Sequence, residues 1–288
     1  MSVAIFFLLL NGCTLTQSLF SKESDNSVKD SFIYVALGDS ILIDKWAGGE
    51  DCNCGASSLL LENLNDKFPY YFGKDLLTLF ADAKLISLAK DAALFEGFLD
   101  DQIDEFKSKK IIPDLVTISI GGNDLVQFLK TKLHESNKPE LNIFIANFEQ
   151  NLLELEKFIT YLNSQNEDII IFLLNIYDPT DGLGFDFTRN EFLSRSNNLK
   201  MYFLLNQLNT KLAVFSAKNN LQLIDIHSHF LGHGLSAVKY KDINPFYDPG
   251  NDTFWYHPQV IIDVNGLGAH EIRKLLYDAL NTQLDKMD

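Results

Sequence analysis

Ile33-Tyr34-Val35-Ala36-Leu37-Gly38-Asp39-Ser40 is the stretch whose reading decides the fold. Five apolar, partly β-branched residues make a short buried strand. It stops at a glycine that can turn, an aspartate that can accept from backbone amides, and a serine hydroxyl. A second stretch, Leu115-Val116-Thr117-Ile118-Ser119-Ile120-Gly121-Gly122-Asn123-Asp124, repeats the pattern: a buried strand ending in glycines and a polar pair. In open α/β sheets the carboxyl ends of strands collect ligands and catalytic groups, because the following helices aim free N–H groups and positive dipole ends there.

Working outward, apolar strand segments alternate with helical ones. Strand two is expected at Ala83 to Ala89, and a helix from near Phe95 stops before Pro113, which blocks its continuation. A long amphipathic helix spans Leu141 to Asn163, strand four follows at Asp168 to Tyr177, and a further helix runs from Leu193 to Asn219. Strand five is expected at Leu221 to Ile226, and Gly266 to Leu276 begins the last helix. Strand, helix, strand repeated five times with apolar strands means a parallel sheet covered on both faces. Right-handed crossovers then give a flavodoxin-like three-layer α/β/α sandwich with a five-stranded parallel sheet in order 2-1-3-4-5. In that order the ends of strands one and three are neighbours, so Ser40 and Asn123 can face one cavity.

Gly38-Asp39-Ser40 and Gly121-Gly122-Asn123-Asp124, in this order and both at strand ends, resemble the first and third blocks of the SGNH/GDSL family of serine hydrolases. The resemblance covers the chain from about residue 32. It implies a serine esterase or acyl hydrolase that works through an acyl-enzyme and needs no metal or cofactor. It further implies Ser40 as nucleophile, with an oxyanion hole from the Ser40 N–H, a second-block N–H and the Asn123 side chain. Ala92, in Ala89-Lys90-Asp91-Ala92-Ala93, stands where the second block carries glycine. Its backbone N–H survives the change if the local φ/ψ permits.

The family takes its base from a histidine just before the last helix, but Asp263 occupies that place, ahead of Val264-Asn265-Gly266-Leu267-Gly268. Of the six histidines, His134 lies in a connecting segment and His270 inside the last helix. The loop His227-Ser228-His229-Phe230-Leu231-Gly232-His233-Gly234 resembles that of a divergent bacterial subgroup, which implies His233 as base and Asp263 as its orienting carboxylate. His257, in a His-Pro pair, is the alternative, followed by His227, His229 or no working base at all. His227, His229 and His233 could also be read as zinc ligands, a site that would need a fourth ligand and partners for the imidazoles; the reading adopted has no metal.

The remaining features bound the function. A chain of 288 residues, 46% hydrophobic, can bury the core of one α/β domain, assigned to residues 32–288. The formal charge of −15 excludes a nucleic-acid binder, which concentrates Lys and Arg. The apolar run Val3 to Leu10 followed by Asn11-Gly12-Cys13 resembles a bacterial lipoprotein signal, so residues 1–13 are expected to direct export and Cys13 to carry a lipid anchor to the membrane. Residues 14–31 then serve as a flexible linker. Cys52 and Cys54, two cysteines without a second pair, do not make a zinc site; they read as inert, or as a local disulfide or redox pair. Two functions follow: an exported esterase acting on a small-molecule, glycan or lipid ester, or a surface protein that binds glycan or lipid without turnover.

Overall fold

The computed structural model describes residues 31–132, 138–186, 191–238, 241–243, 245–247, 249–250, 253–260 and 262–287. The expected signal, Cys13, nearly all of the linker and His134 lie outside these residues.

Five strands, β1 (Ile33–Gly38), β2 (Lys84–Ser87), β3 (Leu115–Ser119), β4 (Ile170–Leu174) and β5 (Gln222–Ile224), form one all-parallel sheet in the order β2-β1-β3-β4-β5. Both faces are covered, and the alternation along each strand sorts residues between them. Val35, Leu37, Val116, Ile118, Ile171 and Leu173 face one layer, packed against Phe106, Phe148, Leu155, Phe158 and Leu208. Tyr34, Ala36, Leu115, Phe172 and Leu174 face the other, against Leu59, Leu60, Ile272 and Leu276. Thr117, pointing to the second face, is accommodated by the Tyr34 hydroxyl 3.0 Å away.

The helices that frame the site are α1 (Ala56–Leu61), α2 (Ile103–Ser108), α3 (Gly122–Lys132), α4 (Lys138–Gln165), α5 (Arg195–Lys218), α6 (Ile226–Phe230) and α7 (Gly266–Met287). The segment entering α2 departs from the single helix expected there: a turn at Phe95–Gly97 passes into a π-helical stretch, Phe98–Gln102, before α2 begins. Strand five is also shorter than expected. The Asp225 side chain accepts from the Ser228 N–H at 3.0 Å and caps α6, so His227 and His229 lie on a helix and not on strand-like backbone. Among the described residues no helix is long and apolar enough to cross a membrane.

The register pairs Gly38 with Ser119, so β1 and β3 end level with each other. The order in which the chain adds strands reverses between β1 and β3, and this switch point is where an open crevice forms in such sheets.

Candidate active site

Main chain fixes the first wall of the crevice. Gly38 has φ +117°, and a Cβ there would lie 1.9 Å from the Ser119 carbonyl oxygen, so only glycine lets β1 close against β3 at this point. The Gly38 peptide is bracketed by the fully buried Gln102: Gly38 N–H donates to Oε1 and Nε2 donates to the Gly38 carbonyl, both at 2.8 Å. The Asp39 N–H donates to the Ser119 carbonyl at 2.8 Å. Asp39 Oδ1 accepts from Ser119 Oγ at 2.9 Å and from Ile41 N–H at 3.4 Å, capping the one-turn helix Ser40–Leu42. Burial, with Asp263 and Asp124 nearby, pushes the Asp39 carboxyl up to about 7 against the bonds it accepts.

Ser40 is buried at the start of that turn, with Asp263 nearby. Burial raises Asp263 above the ordinary carboxylate range, and the nearby Ser40 hydroxyl works in the opposite direction. Asp263 is set in place by the chain on either side. Its carbonyl accepts from the His257 N–H at 2.7 Å, and Val264 bridges to Tyr256. Asn265 Oδ1 then caps α7 by accepting from the N–H groups of Leu267 and Gly268, each at 2.9 Å. Asn265 Nδ2 donates to the carbonyls of Phe254 and Tyr256 at 2.8 and 3.0 Å, tying the two sides of the loop together.

The third-block Asn123 lines the same crevice, and the second block lies on the loop after β2. Ala92 has φ +56°, the left-handed conformation that glycine adopts without strain, which is why a glycine would be at ease there. The neighbouring Asp91 carboxylate accepts from Lys45 Nζ at 2.5 Å and Trp46 Nε1 at 2.9 Å. Partial burial pushes Asp91 up, but donation from Lys45 and Trp46 outweighs it and leaves the group below its ordinary value. Asn123, in the first turn of α3, donates from Nδ2 to the Ala93 carbonyl at 3.1 Å and has a second amide hydrogen to offer. Asp124 accepts the Phe95 N–H on both oxygens, at 3.2 and 3.0 Å, joining α3 to the segment after Ala92.

Ser40 and Asn123 line one cavity of about 330 Å³, the lower end of the range for small-ligand pockets. Its walls are largely apolar, with Leu125 and Leu129 from α3, Met201 and Leu205 from α5, and Ile176 and Val260 from the loops.

The structure therefore brings together Ser40, Asn123 and Asp263, with Ala92 on the neighbouring loop. The contacts described for His233 lie elsewhere. Its ring is stacked on Trp255 with centroids 3.4 Å apart, and Nδ1 is 2.9 Å from the Thr253 carbonyl. Asp263, expected to orient His233, lies near Ser40 and His257.

His257 stands near Asp263, edge-on to Trp46, with Nδ1 accepting from the N–H groups of Gln259 and Val260 at 3.3 and 3.2 Å. His229 faces Glu271 at 3.0 Å, and His270 stacks on Phe68, its pKa pushed down to about 4 by burial and by Arg273. Among the described residues no three His, Cys, Asp or Glu side chains are grouped to hold a metal ion. Cys52 and Cys54 form a disulfide that closes the loop after Lys45–Gly48, the turn that supplies Lys45 and Trp46 to Asp91. Gln102 carried no signal in the sequence. Ser119 did, as a hydroxyl inside an otherwise apolar strand.

The profile of the family described as GDSL-like lipase/acylhydrolase matches residues 34–263. The chain belongs to that family. The chain is a hydrolase of ester bonds. Solved structures share the GDSL fold at low identity. An extracellular lipase from Streptomyces rimosus superposes with a TM-score of 0.57 at 17% identity, over 88% of this chain and 100% of that one. A lipase from a goat rumen metagenome gives 0.56 at 15%, over 86% and 97%. A phospholipase A1 from Streptomyces albidoflavus gives 0.52 at 18%, over 88% and 99%. No curated protein matches the chain in sequence.

Proposed function

We propose that this GDSL hydrolase cleaves carboxylic esters of apolar acyl groups through an acyl-enzyme on Ser40. The observation that carries the reading is the shared cavity: Ser40 and Asn123 line one pocket whose walls are largely apolar. Ser40 Oγ adds to the ester carbonyl, and the oxyanion that forms is held by the Ser40 N–H, the Asn123 amide and the Ala92 N–H. Collapse expels the alcohol, and water then releases the acid. The acyl chain runs along Leu125, Leu129 and Leu205, away from solvent.

The test is labelling by a fluorophosphonate together with a series of p-nitrophenyl acyl esters. Wild type is expected to label and Ser40→Ala not to, with hydrolysis falling by at least 1,000-fold. Burying one methylene contributes about 0.8 kcal/mol, so kcat/KM should rise about fourfold per added carbon until the pocket fills. A folded wild type that neither labels nor turns over any ester in the series would reject the reading; a kcat/KM indifferent to chain length would reject the assignment of the apolar wall.

A further inference from the structure

We infer that the exposed side of α5 docks on an anionic lipid bilayer and so presents the mouth of the pocket to esters held in that bilayer. The inference rests on the serine-esterase reading above and adds to it the physical state in which the substrate is met.

Charge gives the first indication. The chain carries 39 acidic against 24 basic side chains, yet α5, 24 residues long, holds Arg195, Lys200, Lys211 and Lys218 and no Asp or Glu. Lys211 and Lys218 are matched to Glu149 and Glu156 of α4. Arg195 and Lys200 are exposed and, among the described residues, join no salt bridge. Arg195 stands in the first turn, where the helix dipole disfavours a cation, so the helix itself gains nothing from it. Lys130 of α3, exposed and likewise in no salt bridge among the described residues, lines the same pocket as Met201 and Leu205.

Beside these cations the helix exposes hydrocarbon. Leu199, Tyr202 and Phe203 are each more than half exposed, whereas Met201, Leu204 and Leu205 are buried. Spacings of three and four residues make Leu199 a surface neighbour of both Tyr202 and Phe203, so the three form one patch. A surface helix ordinarily hides a single apolar stripe; α5 carries a second on its open side. Two salt bridges join α4 to α5, each between residues 62 apart, so the helices run side by side in the same direction. That register sets Ile143, also more than half exposed, level with Leu205. Its neighbour Phe144 stacks on Phe128 of α3 with centroids 4.5 Å apart, which ties the three helices together at this end. Leu193, Met201 and Leu205 line the pocket, so the patch begins within one helical turn of the pocket wall.

An exposed apolar patch of this kind marks a binding surface, and aromatic and leucine side chains beside Lys and Arg are what helices lying in a lipid interface present. A second copy is a poorer occupant, because a two-fold contact would set the same unpaired cations against each other. Anionic headgroups neutralise them. The net charge of −15 opposes approach of any other side to such a bilayer, so docking through α5 also fixes orientation, with the pocket mouth toward the lipid.

The experiment uses the full chain with Cys13→Ser, made without a lipid, and vesicles of phosphatidylcholine alone or mixed equally with phosphatidylglycerol. Binding is measured with Ser40→Ala added, so that docking is read apart from turnover. The local reporter is Tyr202→Trp, its emission taken as the difference from the parent. On anionic vesicles it should shift to the blue and be quenched by brominated lipid; on neutral vesicles it should not change. Arg195→Gln with Lys200→Gln should weaken partition by roughly 25-fold, about fivefold for each cation. Leu199→Gln with Phe203→Gln should weaken it by at least about tenfold. With Ser40 restored, both pairs should hydrolyse soluble p-nitrophenyl butyrate as the parent does and lose turnover of p-nitrophenyl palmitate held in the anionic vesicles. An unchanged reporter on anionic vesicles would overturn the inference, as would a charge-pair variant that partitions like its parent or a parent that binds neutral vesicles equally well. A dimer abolished by Leu199→Gln with Phe203→Gln, without vesicle binding, would give the face to a second copy. A parent inactive on the soluble butyrate whose reporter still responds to anionic vesicles would remove the esterase reading alone and leave the docking surface in place.

Discussion

On the strand side of the cavity Ser40 is positioned by main chain: a level register between β1 and β3, the Asp39 N–H on Ser119, and a glycine packed against a carbonyl. On the loop side Asp263 is positioned by one side chain, Asn265, which caps α7 and bonds two carbonyls across the loop. The contrast is between a wall that backbone pairing fixes and a loop that a single side chain holds. A strand end tolerates almost no substitution, because neighbouring strands share its hydrogen bonds. A capped loop can exchange the residue before the cap while its path stays the same.

The largest effect should come from challenging the strand side. In Gly38→Ala the new methyl would lie 1.9 Å from the Ser119 oxygen, a contact with backbone that no rotamer relieves, at a φ where alanine is itself strained. Expected is a loss of at least about 4 kcal/mol in urea unfolding, or no folded protein at all. A variant that melts within 1 kcal/mol of wild type would show that β1 and β3 part easily and that the strand side is as adaptable as the loop.

A smaller effect separates the two carboxyls that flank Ser40. Asp39 is raised to about 7 in the folded protein, so between about 4 and 7 the native state holds a proton that the unfolded chain has lost. Unfolding free energy should then fall as pH rises through that window, by up to about 4 kcal/mol. Asp39→Asn keeps the Oδ1 acceptor for Ser119 and Ile41 and has no charge to desolvate. It should remove most of the slope and be the more stable protein at pH 8. Chemical denaturation at pH 5 and pH 8 measures it; an undiminished slope in the variant would assign the titration to another group, with Asp263 next in line.

The same contrast explains what could be read from the sequence. The β1 and β3 motifs are legible because a strand buried on both faces must be a continuous apolar run, and the residues that interrupt it stand out. Sheet order followed from those runs and from crossover handedness, and the family match over residues 34–263 agrees with both. The loop side was opaque for a physical reason: its path is set by contacts between Asn265 and residues 254 and 256 that no local pattern announces. The histidine-rich segment misled in the same way. Asp225 caps a helix at the Ser228 N–H, so strand five stops before Ile226, the end expected for it, and the loop expected to hold His227 and His229 is helical there. Gln102 was invisible because a glutamine inside a helical stretch is ordinary until its partner, the Gly38 peptide, is known.

The smallest effect tests the one place where the strand-side architecture departs from its own motif. Ala92 holds a left-handed φ of +56°, a conformation that costs an alanine about 1 kcal/mol and a glycine almost nothing. Glycine adds unfolded-state entropy worth about 0.4–1 kcal/mol, so most of the relief is offset. Ala92→Gly should therefore change stability by no more than about 0.5 kcal/mol, in the stabilising direction, and thermal melting is sensitive enough to record it. The sign carries the information. The neighbouring Asp91 carboxylate is held by Lys45 and Trp46, and such a clamp on the preceding residue would offset the strain in the wild type. If Asp91→Asn, which weakens the clamp, makes the glycine substitution more favourable, the clamp is what keeps alanine in this conformation. If the two changes are additive, the loop is held by its backbone alone, and this wall of the cavity follows the strand rule after all.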